Sequence, residues 1–155
     1  SEDMAVRGLG TRSVWLRHEA GTVTPEEAMS LGLAPGAGVY RFHRIRFADD
    51  QPMALEYSTI AGFCLSSVDE VQNSLYEALS RNGLRPVRAL QRLRAVALNA
   101  EQAAHLGCAA GDPVLWIERR SFAADGRVVE ITRSYYHGGA YDFVAELSVG
   151  AGPMQ

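Results

Sequence analysis

Apolar and polar residues follow two different periods along this chain, and the change between them predicts the structural elements. Helical spacing after a capping residue predicts short helices that begin after Thr24 and after Asn99, each ended by a glycine. Alternation with period two, interrupted by turn residues, predicts strands. The predicted strands cover 11–18, 39–48, 52–60, 87–98, 114–123 and 127–136, with a further strand over 141–149.

A longer amphipathic segment lies between these two groups of elements. Four of its apolar residues are spaced as one face of a helix: Val68, Val71, Leu75 and Leu79. Gly83 stands where a glycine commonly follows a helix. The pattern therefore predicts one continuous helix over 67–82. Together the elements predict an α+β fold, a mostly antiparallel sheet with the helices on one side.

Part of the chain occurs twice. Residues 26–50 and 101–125 align without gaps, and both glycines that end the predicted helices are in step. The repeat predicts an internal duplication of a helix–β-hairpin unit. Because ligand sites commonly lie between related halves, it also favours a ligand cleft between the two copies.

Composition narrows the class of protein. The length of 155 residues suits one domain, and 47% hydrophobic with 21% charged residues describes a globular protein. A net charge of −3 argues against direct binding of nucleic acid by this chain. All 15 basic residues are arginine, which excludes chemistry that needs a lysine Schiff base.

Several kinds of site and location are not predicted. No apolar run has the length of a membrane span and no secretory signal is present, so we expect a cytoplasmic protein without a membrane partner. Cys64 and Cys108 are expected to be free buried thiols, ahead of a disulfide or a metal-binding pair. The histidines lack metal-binding spacing, and no catalytic or cofactor motif is present. We therefore expect no catalytic residue, metal or cofactor, although Glu56 and Glu130 form a conceivable carboxylate pair for glycoside chemistry.

The first hairpin strand of the first copy carries candidates for binding an anion. Arg44 and Arg46 share a face by period two, and neighbouring guanidinium groups on an inward face require an anion. The alternative is an exposed strand edge. Arg119 matches Arg44 in the second copy, whereas Ser121 replaces Arg46. We therefore expect Arg44 and Arg119 to serve the fold, by pairing with a carboxylate, and Arg46 to serve function.

The returning strands and the middle helix add polar candidates. Acceptors, hydroxyls and a phenol on shared strand faces suit a polyhydroxyl ligand, or else a polar outer face of the sheet. These residues are Glu56, Ser58, Glu130, Thr132, Ser134 and Tyr136. Ser74 offers a hydroxyl and a nearby backbone N–H to an anion, and Tyr76 is as compatible with the core as with a site.

These segments together resemble the UTRA domain, the effector-binding domain of HutC-subfamily GntR transcriptional regulators. The resemblance is carried by RxR in VYRFHRIRFADDQPMALEYSTI, SLY in NSLYEALSRNGL, a short helix ending in LG, and DGxxVE in GDPVLWIERRSFAADGRVVEITRSYY. It covers about residues 1–147 and implies a chorismate-lyase-like fold, with 1–149 as the UTRA domain and 150–155 as a loose tail. It also implies a homodimer that contacts operator DNA only through an N-terminal winged helix-turn-helix, which is absent from this chain.

The opening SEDMAVRGL resembles the effector domains of regulators of N-acetylglucosamine use. In such proteins the arginines of RxR and the serine of SLY hold the phosphate of an amino-sugar 6-phosphate, which implies that role for Arg44, Arg46 and Ser74. Ser1 would be a further phosphate contact. The residues implied for the sugar hydroxyls and acetamido group are Glu56, Tyr76, Glu130 and Tyr136.

The resemblance implies a small-molecule effector and no enzymatic activity. The expected ligand is N-acetylglucosamine 6-phosphate or glucosamine 6-phosphate. Two alternatives stay open: a chorismate-lyase-like enzyme, and a sensor of a carboxylate such as urocanate or of a phosphonate-related ligand. The same arginines would bind any of these anions.

Overall fold

A computed structural model of the chain describes residues 11–72, 74–139 and 142–150. The strands are β1 (Thr11–Thr22), β2 (Gly38–Ala48), β3 (Gln51–Ala61), β4 (Arg88–Ala97), β5 (Pro113–Phe122) and β6 (Val128–Tyr136). The α-helices are α1 (Pro25–Leu31), α2 (Leu75–Arg81) and α3 (Ala100–Leu106), and two short 3₁₀ turns cover Gly62–Cys64 and Val68–Glu70. All strand pairs are antiparallel, in the order β1-β2-β3-β6-β5-β4, which confirms the predicted α+β class.

The predicted duplication is present and includes one more strand in each copy. The order β1-α1-β2-β3 is repeated as β4-α3-β5-β6. Capping boxes at Thr24 and Asn99 begin the two equivalent helices, and Gly32 and Gly107 end them with φ of 65° and 66°. Because β3 and β6 pair antiparallel at the centre of the sheet, an approximate twofold axis perpendicular to the sheet relates the two units.

The helices cover both faces of the sheet, so the prediction of helices on one side is wrong. Phe42 packs in a core with α2, whereas Ile45 packs in another core with α3. These two residues are three positions apart on β2 and therefore point to opposite faces. Leu31 of α1 packs with Val39, on the α3 face. The sheet has apolar side chains on both faces, so helices must pack on both faces to bury them.

The single helix predicted over 67–82 is also wrong, because the segment is broken. Ser67 caps the 3₁₀ turn, and Ser74 has an extended backbone with φ of −132° and ψ of 127°. The Ser74 hydroxyl accepts a hydrogen bond from the backbone N–H of Glu77 at 3.3 Å, which begins α2 there. Serine caps compete with a continuous helix. The apolar residues keep helical spacing because both pieces pack into one core.

The end of the described chain has no regular structure. The prediction of a strand over 141–149 is therefore wrong for residues 142–149. Phe143 is 42% exposed and Val144 is 87% exposed, so these side chains have no buried face that would favour a strand. Residues 151–155 of the predicted tail, and Ser1 with the SEDMAVRGL opening, lie outside the described residues.

Candidate ligand-binding site

A cavity of about 240 Å³ lies on the α2 face of the sheet, over the junction of the two repeat units. Seven of the predicted ligand residues line it: Arg44, Arg46, Glu56, Ser74, Tyr76, Glu130 and Tyr136. Further lining residues are Ser58, Leu75, Gln91, Ile117, Arg119, Thr132, Ser134, Phe143 and Val144. Both copies contribute to the cavity, in agreement with the cleft predicted from the repeat.

Arg44 and Glu56 form a partly buried ion pair in the wall of the cavity. They face each other on β2 and β3, and Arg44 Nε donates to Glu56 Oε1 at 2.8 Å. Arg46 Nη1 lies 3.7 Å from Glu56 Oε2, to which the Ser134 hydroxyl also donates at 3.3 Å. Burial acts to raise the pKa of Glu56, but the two guanidinium charges and the hydrogen bonds outweigh it and hold the pKa below its ordinary value. Glu56 is therefore a charged carboxylate.

Arg46 is a buried cation with an unsatisfied donor. Its residue is 7% exposed, and its Nη2 atom has no hydrogen-bond partner among the described residues. A buried donor without an acceptor costs free energy. A bound anion that accepts from Nη2 would remove this cost. Arg46 thus differs from Arg44, whose Nε already donates to a carboxylate.

Glu130 lies among hydroxyl groups. Its residue is 2% exposed, and its Oε1 and Oε2 accept hydrogen bonds from Ser121 and Thr132, each at 2.9 Å. The Thr132 hydroxyl is 2.8 Å from that of Ser58. Glu130 forms no ion pair with the part of the chain that the structure describes. Burial raises its pKa in spite of the hydrogen bonds from both hydroxyls. The two carboxyls of the cavity therefore differ, because the pKa of Glu56 is lowered and that of Glu130 is raised.

Arg119 also lines the cavity, a role that the sequence reasoning did not assign to it. Its Nε donates to Gln91 Oε1 at 3.1 Å, and its Nη1 donates to the Tyr76 hydroxyl at 3.2 Å. The expectation of a carboxylate partner is therefore confirmed for Arg44 and wrong for Arg119. The register gives the reason, because the neighbour of Arg119 on β6 is the uncharged Thr132.

Gln91 was also not predicted as a site residue, because its position depends on the order of the strands in the sheet. Gln91 lies directly beside Arg119 because β4 pairs with β5 in that register. Period two alone places Gln91 on one face of β4 without showing which strand is next to it. Phe143 and Val144 reach the cavity from the irregular segment, where no periodic pattern identifies them.

Two kinds of feature, a cluster of metal ligands and a membrane-spanning helix, were sought among the described residues. No group of three or more His, Cys, Asp or Glu side chains within them is arranged to hold a metal ion. None of the described helices has both the length and the apolar character that crossing a membrane requires.

The fold and the cavity define a small-molecule-binding domain of the α+β class. Residues 6–142 match the model of the UTRA domain family. The chain is 34% identical over 147 residues to the HTH-type transcriptional repressor NagR of Bacillus subtilis (strain 168), and the alignment covers 93% of this chain and 60% of NagR. The chain therefore belongs to the UTRA domain family, whose members are effector-binding domains of GntR-family, HutC-subfamily regulators.

Solved structures share the fold. PhnF from Mycobacterium smegmatis superposes with a TM-score of 0.89 at 24% identity, covering 96% of this chain and 68% of PhnF. The ligand-binding domain of a GntR-family regulator from Bordetella bronchiseptica gives a TM-score of 0.82 at 27% identity and covers 90% of both chains. The fold is the chorismate-lyase-like fold of UTRA domains. Because the chain belongs to this family of regulator domains, the prediction that it is not an enzyme is confirmed, and the lyase alternative is not favoured.

Proposed function

We propose that this domain senses an amino-sugar phosphate for a bacterial transcriptional repressor. The proposed effector is N-acetylglucosamine 6-phosphate or glucosamine 6-phosphate. The observation that carries the proposal is the buried Nη2 of Arg46, which lines the cavity and has no acceptor among the described residues. The 34% identity to the repressor NagR and the resemblance of the RxR and SLY motifs support the same ligand class.

The charge of the cavity favours a phosphate over a carboxylate. The guanidinium groups of Arg44, Arg46 and Arg119 line it, and Glu56 is its charged carboxylate. The three guanidinium groups exceed the carboxylates by one positive charge when Glu130 is ionised and by two when it is protonated, and burial raises the pKa of Glu130. A phosphate monoester carries about −1.5 to −2 at neutral pH and presents three acceptor oxygens. A phosphate can compensate either excess with three acceptor oxygens, whereas a monocarboxylate leaves one positive charge without compensation when Glu130 is protonated.

The other half of the cavity suits a compact polyhydroxyl group. Glu130, Thr132 and Ser58 form a connected set of acceptors and hydroxyls, and Tyr76 and Tyr136 add phenols. A volume of about 240 Å³ lies below the range of about 300–1,000 Å³ that is usual for drug-sized ligands. A single sugar with a phosphate at one end matches both the size and this distribution of polar groups.

The proposed ligand would act by changing the balance between conformations of a dimeric regulator. The cavity is lined by both repeat units, so a ligand that contacts both favours one relative placement of them. In a cytoplasmic homodimer with attached DNA-binding domains, this differential affinity would alter affinity for operator DNA. NagR is longer than the segment matched here, and the proposed DNA contacts belong to a separate domain.

Thermal denaturation with a small set of ligands tests the proposal. Binding to the folded state stabilises it by about 2.7 kcal/mol at a ligand concentration one hundred times Kd. We expect a rise in Tm with N-acetylglucosamine 6-phosphate or glucosamine 6-phosphate and none with unphosphorylated N-acetylglucosamine. Urocanate and chorismate serve as carboxylate comparisons. A rise in Tm with either carboxylate, and none with a sugar phosphate, would overturn the assignment.

A further inference from the structure

An open groove lies beside the ligand cavity and shares one boundary with it. Tyr76, Gln91 and Arg119 line both spaces, and we call these three residues the end wall. The other groove residues come from the connection between α2 and β4, from β4 and from β5: Pro86, Val87, Arg88, Ala89 and Ser121. Since Val87, Arg88 and Ala89 are exposed, the groove is open to solvent.

Hydrogen bonds join the end wall across three structural elements. Arg119 on β5 donates to Tyr76 on α2 at 3.2 Å and to Gln91 on β4 at 3.1 Å. The bridge therefore runs from the helix that covers the cavity to the last strand of the described sheet. It closes the cavity on the side that faces the groove.

The end wall lies opposite the arginine pair on β2. β2 and β5 are three strand spacings apart, which is about 14 Å at 4.7–4.9 Å per spacing. The side chains of Arg46 and Arg119 occupy part of this distance. A ligand whose phosphate is held by Arg46 therefore directs its far end towards the end wall.

The end wall is held less firmly than the arginine pair. Arg119 donates to two neutral oxygens at 3.1 and 3.2 Å, whereas Arg44 donates to a carboxylate at 2.8 Å. Hydrogen bonds in which both partners are charged are stronger than those with one neutral partner. Gln91 also lies on β4, an edge strand of the described sheet that pairs on one side only, with β5. Opening the cavity here costs less than separating Arg44 from Glu56.

We propose that the end wall sets the maximum length of the ligand, and that the groove is a second compartment for an additional sugar unit of a longer phosphorylated saccharide. The proposal rests on the proposed function in that the phosphate is anchored at Arg44 and Arg46. The groove offers the guanidinium group of Arg119 as a donor to sugar hydroxyls, and Val87 as apolar surface. Breaking the end wall should therefore raise the affinity for longer ligands relative to the affinity for shorter ones.

Substitution of Gln91 tests this proposal in the 155-residue chain. Gln91→Ala removes one hydrogen bond of the end wall, and Gln91→Glu replaces it with an ion pair to Arg119. Gln51→Ala, at an exposed position at the start of β3, is the matched control. Calorimetry measures Kd for N-acetylglucosamine 6-phosphate and for N,N′-diacetylchitobiose 6′-phosphate, which extends the sugar at its anomeric carbon.

The measured quantity is the ratio of the two Kd values, disaccharide over monosaccharide. We expect Gln91→Ala to lower this ratio by at least about tenfold, which corresponds to the loss of one hydrogen bond between the charged Arg119 and a neutral amide. Gln91→Glu should raise the ratio, and Gln51→Ala should leave it unchanged. The proposal that the end wall limits ligand length is overturned if the wild-type chain binds both sugars equally, or if the ratio is the same in all variants.

Butyl phosphate and decyl phosphate repeat the measurement without a sugar. If no sugar phosphate binds but the alkyl ratio falls in Gln91→Ala, the end wall stands and the amino-sugar assignment is wrong. If sugar phosphates bind and neither ratio responds to Gln91, the end wall is wrong and the proposed function stands. If none of these phosphates binds, both proposals are overturned.

Discussion

Replacing Arg46 with methionine should separate ligand affinity from the stability of the empty domain. Methionine keeps an unbranched apolar stem and removes the guanidinium group. A hydrogen bond to a charged group contributes about 1.5–3 kcal/mol, so losing two to a phosphate should cost about 3–6 kcal/mol. That is a loss of affinity of about 10²- to 10⁴-fold. Stability without ligand should change by less than about 1 kcal/mol, because Nη2 has no partner among the described residues and Glu56 keeps Arg44 at 2.8 Å.

Two measurements and one control distinguish these effects. Calorimetry with N-acetylglucosamine 6-phosphate gives the affinity, and urea denaturation without ligand gives the free energy of unfolding. Arg133→Met is the matched control, since Arg133 lies on the opposite face of the sheet and pairs with Glu118 at 3.0 Å. The reasoning is refuted if Arg46→Met binds within about threefold of the wild-type Kd. It is also refuted if Arg46→Met lowers the free energy of unfolding of the ligand-free domain by as much as it weakens the free energy of ligand binding.

Three further substitutions test the fold and the buried carboxyls. Hydrogen bonds from Arg41 lower the pKa of Glu27 to about 2, so Glu27→Gln should lower the free energy of unfolding, measured in urea at pH 7, by about 1–2 kcal/mol after allowance for solvent screening. This difference between the variant and the wild type should vanish as pH falls from 4.5 towards 2. Gly62→Ala should cost about 1–3 kcal/mol of unfolding free energy, because its Cβ would lie 2.5 Å from the Gly38 carbonyl oxygen. Burial raises the pKa of Glu130, so the wild type should lose stability relative to Glu130→Gln as pH rises through that raised value.

Matched variants give the baselines for these measurements. Glu26→Gln, the control for Glu27→Gln, changes an exposed carboxylate in the first turn of α1 and should leave stability nearly unchanged at pH 7 and at low pH. Gly138→Ala adds a methyl group where no atom lies within 4 Å. Equal losses in Gly62→Ala and Gly138→Ala would contradict the steric argument. A stability difference between wild type and Glu130→Gln that is independent of pH would contradict the raised pKa.

Local signals predicted the repeated elements well. The capping residues Thr24 and Asn99 determine their helices through bonds to residues three positions away, so the sequence alone gives both beginnings. Period two likewise placed Arg44 and Arg46 on one face. The break at Ser74 was missed because the apolar spacing continues through it, although the serine hydroxyl ends the regularity.

Contacts between distant segments were less predictable. The bridge from Gln91 through Arg119 to Tyr76 requires β4 beside β5 and α2 above both, and neither arrangement is a property of a local window. The same reason explains the error over the faces of the sheet. Apolar residues of both parities on β2 indicate two covered faces, but the pattern does not show which helix covers each.

The twofold relation between the repeat units bears on how a ligand is oriented. A perfectly symmetric cavity on such an axis would accept a ligand equally well in two poses related by rotation, and each half would meet either end of it. Here the pair Arg46 and Ala54 in one unit corresponds to Ser121 and Glu130 in the other. Because the two units differ at these positions, the two poses of a ligand are no longer equivalent. A ligand charged at one end then gives each half of the sheet a distinct and fixed contact, so the duplicated halves can respond differently to one molecule.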